Sequence, residues 1–338
     1  MHPPCRPTLL RLRGLEIRPA VLLAPMEGLT DVTFRRLIRR IGGIGLTCTE
    51  FVPAEGLVRQ VRRVRETAML DPDERPGAVQ IYGRRPEVLA EAARWVAASG
   101  ASVVDINMGC PARKVCAHSG GAALLGDPAL ARSIVAAVRA AVDVPLTVKI
   151  RSGLTPGHRN HLEIARICEG EGADGIVVHW RTREDAFGGT FDPKPIAEVR
   201  RAVGIPVVGN GDVVDVPSAL RLLDETGCHA LMIGRGALCD PWLPLEVART
   251  LAGEPFEPPT PADRCAFLLA YIEGTRSVFR TESGALGRVK KLAAYTTRAL
   301  PHGGALRRRV FHARDLSEVE ATLRTWPPTL ARDPTPVP

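Results

Sequence analysis

Two side chains set the chemistry this chain could carry. In DINMGCPARKVC (105–116) a short apolar run ends at Asn107, and Gly109 and Pro111 bracket Cys110 in a sharp turn. The thiol should therefore stand clear of the strand leading to it. An unperturbed thiol, with a pKa of ~8.5, is mostly protonated at neutral pH and suited to donating a proton. Cys116, in the loop beyond, is expected to pack rather than react. Lys149 lies in VKIR (148–151) behind another apolar run, where an unpaired ammonium would be costly. Its anionic partner is either a ligand or an acid within the fold. Gln80 can donate to and accept from a ring edge, and His179 can be neutral or charged near neutral pH. Either serves equally well as a satisfied structural polar group.

Glycines mark a second kind of chemistry. GNGD (209–212) and GRG (234–236) each follow a β-branched run. Singly, each is as readily an ordinary turn. Together at adjacent strand ends, they form a site where backbone N–H groups can approach a phosphate closely. A phosphorylated ligand such as FMN, lying over the strand ends, would be held there.

The elements that must position these groups follow from hydrophobic patterning. Strand candidates are Val21–Ala24, Ile44–Phe51, Ala78–Tyr82, Ser102–Ile106, Leu146–Ile150, Gly175–His179, Pro206–Val208 and Ala230–Ile233. Helix-length segments lie between most of them, including Pro86–Ser99, Pro128–Val142, His161–Glu171 and Pro217–Glu225. Apolar strands buried on both faces, with helical crossovers, require a parallel sheet, and eight such units match a (β/α)8 TIM barrel over 18–252. An open doubly wound sheet is the alternative. The barrel is preferred because polar residues gather just after the strand ends, where that fold builds its site. AGEPFEPPTP (252–261) cannot continue a helix, so 253–261 reads as a linker. Beyond it, 262–326 reads as a helical unit, with helices over 262–280 and 286–300. A connection over 307–314 and a last helix Leu316–Arg324, N-capped by Ser317, would follow. Residues 327–338 read as a disordered tail.

Composition limits the function classes. No apolar run reaches the ~18 residues of a membrane span, and the N-terminus lacks a secretory signal's apolar core. A cytoplasmic monomer is expected. The eight cysteines show no CxxC pair and no zinc-type spacing, so neither a disulfide framework nor a metal is expected. Charge is uneven: residues 1–65 carry +7, 66–261 carry −5 and 262–338 carry +6. Basic ends on an acidic middle point to a polyanionic partner, although genome base bias also produces arginine-rich chains.

Taken in order, APMEG (24–28), TEFV (49–52), VQIYG (79–83), DINMGCP (105–111), VKIR (148–151), VHWRTR (178–183), GNGD (209–212) and MIGRGA (232–237) resemble the tRNA-dihydrouridine synthases. The likeness runs from about Val21 to Leu323. It implies an FMN-binding barrel, recharged by NADPH, that reduces the C5=C6 bond of uridine in tRNA. By matching position, Cys110 would be the acid. Pro25, Met26, Glu27, Gln80, Lys149, His179, Asn210, Gly211, Asp212, Gly234 and Arg235 would hold FMN. Asn107 and Arg181 would meet the uracil. Late RVKK (288–291) and RVFHAR (309–314) resemble the C-type branch, which acts on uridine 16 of the D-loop, so Arg288, Lys290 and Arg314 would grip tRNA. The branch has arginine where Pro53 stands, and most members have glycine where Trp180 stands, which implies a tighter or stacking pocket wall here.

Two other classes compete. A dihydroorotate-dehydrogenase-like flavoenzyme would share the barrel and FMN but needs no basic helical appendage. A non-catalytic tRNA-binding protein would lack flavin.

Overall fold

The computed structural model describes residues 7–117 and 120–326. Its strands are β1 (Leu10–Leu12), β2 (Leu15–Ile17), β3 (Val21–Leu23), β4 (Thr47–Cys48), β5 (Val52–Pro53), β6 (Gly77–Tyr82) and β7 (Val103–Met108). They continue as β8 (Leu146–Arg151), β9 (Gly153–Thr155), β10 (His158–Arg159), β11 (Gly175–His179), β12 (Val207–Asn210) and β13 (Ala230–Ile233). Eight of them form a parallel ring in the order β3, β13, β12, β11, β8, β7, β6, β4. A parallel bridge between Leu22 and Leu46, with Leu23 N–H donating to Leu46 O at 3.0 Å, closes β4 onto β3. The chain is therefore a (β/α)8 TIM barrel, with crossover helices α1 (Val32–Ile41), α2 (Pro86–Ala98), α3 (Pro128–Ala141), α4 (His161–Gly170), α5 (Lys194–Ala202), α6 (Val216–Thr226) and α7 (Leu243–Ala252).

Strand alternation divides the interior into two storeys. On β7, Val103 lies in the inner apolar cluster while Asp105 and Asn107 follow at two-residue steps; on β6, Ala78 precedes Gln80; on β12, Val208 precedes Asn210. Each strand thus enters the barrel apolar and leaves it polar, because successive inward positions are two residues apart. The outward positions pack on the crossover helices as a second, continuous core.

The barrel floor departs from expectation. Residues 10–17, ahead of the expected start at 18, form an antiparallel hairpin whose Leu10, Leu12 and Ile17 join the inner cluster and plug the barrel. Arg13 and Gly14 at its turn both have positive φ, 42° and 80°, the backbone that two-residue hairpins with right-twisted strands require. Of the long strand expected over 44–51 only β4 forms, with β5 just beyond it, and both pair with β6.

Residues 254–260 carry no regular structure, and four helices follow: α8 (Pro261–Val278), α9 (Glu282–Thr296), α10 (Gly303–His312) and α11 (Leu316–Arg324). Thr260 and Asp263 close a capping box at the start of α8. The expected connection over 307–314 is corrected: Arg307–His312 belong to α10, with Leu306 and Val310 buried on one face. The N-cap of α11 is Asp315, whose carboxylate accepts from Glu318 N–H at 2.9 Å, rather than Ser317. The tail at 327–338 lies outside the described residues.

Candidate active site

At the upper storey the inward polar residues form one connected chain. Thr147 Oγ1 and Gln80 Nε2 both donate to the Asp105 carboxylate. Gln80 Oε1 accepts from Asn107 Nδ2 at 2.7 Å. Asn107 Oδ1 in turn accepts from the backbone N–H of Gly109 at 3.0 Å and of Cys110 at 2.8 Å. This is an Asx turn, a side chain standing in for backbone at a chain reversal. It fixes the residue that carries the thiol from below. From the side, Arg151 Nε donates to Gly109 O at 2.8 Å, while its Nη1 reaches Thr182 O and Ala186 O at 2.7 and 2.9 Å. Arg151 thereby ties the cysteine turn to the loop after β11.

Cys110 is half-buried and unpaired by any disulfide. Burial raises its thiol above the ordinary value, and the backbone N–H of Ala112 offsets only part of this, so it stays protonated at neutral pH. Cys116 Sγ instead donates to Cys110 O at 3.4 Å, a supporting contact behind the turn. Gly121, with φ 57°, passes so close that a Cβ would stand 2.9 Å from Cys110 O.

Across the mouth, Lys149 Nζ donates to Asn210 Oδ1 at 2.8 Å, and Asn210 Nδ2 donates to Met232 O at 2.7 Å. Among the described residues Lys149 has no acid in hydrogen-bonding contact. Burial, reinforced by Arg151, lowers its pKa to about 8, while Asp105, raised by burial to about 6, is the charge that most favours its ammonium. His179 Nδ1 accepts from Arg181 N–H at 3.1 Å. Burial and then Lys149, Arg151, Arg181 and Arg235 push His179 well below its ordinary value. It is neutral, with its proton on Nε2.

The residues expected to meet a phosphate lie together. Gly211 has φ 122°, and a Cβ there would stand 2.5 Å from Trp180 Nε1, so only glycine fits. At Gly234 a Cβ would approach Met26 Sδ to 3.7 Å, which brings the ends of β3 and β13 side by side. Trp180 is 1% exposed. Its faces are covered by Arg181, whose Cζ is 4.0 Å from the ring centroid, and by Phe191 edge-on. It is a packed wall rather than an open stacking surface. Its Nε1 is buried with no hydrogen-bond partner among the described residues.

Several expected contacts are rearranged. Arg181, expected to meet the uracil, is 3% exposed and holds Asp212 bidentately at 2.8 and 2.7 Å. Asp212, expected at the cofactor, also accepts from Arg235 Nη2 at 3.2 Å, so its carboxylate orients two arginines. Gln80 is fully buried beneath the mouth. Arg288, expected on tRNA, pairs with Glu50 at 2.9 Å. Lys290 Nζ donates to Ala313 O at 2.7 Å within the helical region. Arg314 is open, its side chain 90% exposed. Pro25 and Met26 are half-buried, and Glu27 is exposed at the rim. Asp105, Arg151 and Glu50 were not singled out as site residues, although each stands in a quoted motif or at a strand end. For Arg151 the signal was its two-step spacing from Thr147 and Lys149.

Among the described residues no group of three His, Cys, Asp or Glu is placed to hold a metal ion, and no helix is long and apolar enough to cross a membrane.

A closed parallel barrel whose strands end in a thiol, an ammonium and glycine turns on one face is the frame of a TIM-barrel enzyme. The dihydrouridine synthase (Dus) family model matches residues 22–330, and the chain belongs to that family. It is 42% identical over 291 residues to tRNA-dihydrouridine synthase B of Xanthomonas axonopodis pv. citri, covering 85% of this chain and 86% of the relative. It is 38% identical over 319 residues to a probable tRNA-dihydrouridine synthase of Rhodobacter capsulatus, covering 94% and 97%. A third relative, probable tRNA-dihydrouridine synthase 1 of Synechocystis, is 37% identical over 316 residues, covering 91% and 86%. These relatives do not distinguish the C-type branch.

Proposed function

We propose that this protein is an FMN-dependent tRNA-dihydrouridine synthase that uses NADPH to reduce the C5=C6 bond of a D-loop uridine, with position 16 as the expected target. The observation that carries the reading is the Cys110 turn, braced from two sides by Asn107 and Arg151, at a mouth where Lys149 has no acid in hydrogen-bonding contact among the described residues. FMN fits the residues present. Lys149 wants an anion, Gly234 and Arg235 lie half-buried at the end of β13 next to the β12 end that carries Gly211, and the buried Trp180 N–H lacks an acceptor among the described residues. Pro25, Met26 and Asn210 would line the ring, with neutral His179 donating from Nε2.

The chemistry that bound, reduced FMN would supply here is a hydride for uracil C6. The charge that develops on C5 and the C4 carbonyl requires a proton at C5, and Cys110 gives it up from Sγ. Arg151, close enough to favour the thiolate electrostatically, steadies the charge left on sulfur until solvent at the half-open mouth returns the proton. Asn107 orients the acid through its backbone, and Lys149 would place a positive charge beside the bound group, favouring its acceptance of electrons.

Protein purified without added flavin is expected to be yellow and to release FMN rather than FAD on heating. Colourless protein that fails to take up added FMN would remove the cofactor and favour a tRNA-binding role.

The thiol's state can be read directly. Alkylation proceeds through the thiolate, so the iodoacetamide reaction of Cys110, followed by mass spectrometry, should rise with pH through a midpoint above the ordinary thiol value of ~8.5, because burial raises the thiol. A midpoint at or below pH 8 would mean a thiolate near neutrality, and Cys110 could not serve as the acid.

The helical region supports a tRNA substrate over a free pyrimidine. Arg307, Arg308, Arg309 and Arg314 are exposed, as are Arg84, Arg113 and Lys114 near the strand ends. A dihydroorotate-dehydrogenase-like enzyme has no use for such a surface, and reduction of free uracil or orotate at rates matching tRNA would favour it.

A further inference from the structure

The turn leaving β3, Pro25–Asp31, is held by the helical region directly at Glu27 and Asp31 and, through Glu50 of the barrel, at Gly28. Lys291 Nζ donates to Glu27 O at 2.8 Å. Glu50, 5% exposed, accepts from Gly28 N–H at 2.5 Å with one oxygen and from Arg288 Nη1 at 2.9 Å with the other. Tyr271 Oη donates to Asp31 Oδ2 at 2.6 Å, while Oδ1 of the same carboxylate caps α1 by accepting from Phe34 N–H at 3.0 Å. Gly28 has φ 74°, and a Cβ there would stand 2.2 Å from Lys291 Nζ, so the Lys291 ammonium lies directly against the turn. Inside the turn, Thr30 Oγ1 accepts from Met26 N–H at 2.9 Å, which carries the constraint back to Met26.

We infer that Arg288 and Lys291 are positioning residues of the cofactor site, so that α9 completes the barrel mouth by fixing the turn that carries Pro25 and Met26. The inference rests on the proposal that this turn lies against FMN. The physical case is one of preorganisation. A turn that contributes two ring contacts binds more tightly when its backbone is held before the ligand arrives, because its ordering entropy is not lost on binding. Glu50 is the relay. A buried carboxylate needs a charged partner, and Arg288 supplies it from 238 residues away while the other oxygen fixes Gly28. The arginine matched to tRNA by resemblance is directed at the barrel instead.

The test compares Lys291→Met, Arg288→Met and Arg288→Lys in the full-length protein. FMN affinity of the apoprotein is read by flavin fluorescence, and tRNA affinity is read against salt. Lys291→Met leaves no buried acid unpaired and should fold normally. It should weaken FMN binding at least threefold, and Arg288→Met about tenfold, with Arg288→Lys recovering part of the loss. The slope of log affinity for tRNA against log salt should not change in any of them. Unchanged FMN affinity in Lys291→Met overturns the inference, whether or not the salt slope moves. A shallower slope in Arg288→Met with normal FMN binding would return Arg288 to a phosphate. Wild-type protein that takes up no FMN is a different outcome, which fails the cofactor reading itself.

Discussion

Cys110→Ala is expected to abolish uridine reduction while flavin content and NADPH oxidation stay near wild type. A positioned general acid contributes ~10²–10⁴ in rate, and no other proton donor is braced in the same turn: Arg151 is a poor acid even with its pKa lowered by burial to about 10, and Tyr82 is raised above its ordinary value by burial and by Glu27. The hydride half of the reaction needs none of these groups. Losing the thiol should therefore separate the two half-reactions, with NADPH consumed and electrons passed to oxygen instead of uracil. Cys116→Ala should behave differently. Its thiol only donates to Cys110 O at 3.4 Å, a long contact whose loss is worth at most about 1 kcal/mol, so turnover should fall less than about fivefold. Equal losses in the two variants, or full uridine reduction by Cys110→Ala, would overturn the assignment.

That separation was legible in the sequence because it depends on neighbours in the chain. Gly109, Cys110 and Pro111 make their own turn, and the inward positions of β6, β7, β8 and β12, polar at their last step, fall on every second residue. The floor hairpin was not legible, since three-residue strands built on LRL and LEI give period-two patterning too little length to register. Helix α10 was masked by its own surface: Arg307, Arg308 and Arg309 read as a charged connection, while the apolar stripe of Leu306, Val310 and Ala313 is only three residues long. Partner choice across long separations was the deeper gap. Arg181 to Asp212 spans 31 residues and Arg288 to Glu50 spans 238, and nothing local tells an arginine that will close on a carboxylate from one that will face solvent. Resemblance placed the four substrate-side cations in one class, whereas the fold divides them between internal ties and open surface.

The same division sets where tRNA binding should be lost. The exposed face of α10 presents Arg307, Arg308, Arg309 and His312 around Phe311, which is 48% exposed, and Arg314 follows at its end. None of the three consecutive arginines has an acidic partner among the salt bridges of the described residues, and Arg314 meets only Glu318, at 3.5 Å. Such a surface reads the shape and charge of folded RNA rather than its sequence, with the open ring available to stack on an unpaired base. Replacing Arg307, Arg308 and Arg309 together by alanine should lower tRNA affinity about ten- to hundredfold at low salt. Each lost phosphate contact removes somewhat under one unit from the slope of log affinity against log salt, so the triple variant should lose about two units while its FMN content, NADPH oxidation and melting temperature stay unchanged. Arg288→Ala together with Lys290→Ala should give the opposite pattern. It exposes the Glu50 relay to an unpaired buried charge and frees Ala313 O, so the protein should melt earlier, with the folded fraction binding tRNA on an unchanged slope. A flattened slope in that pair alongside a normal one in the α10 triple would place the grip on α9, and the open face of α10 would then have no part in holding tRNA.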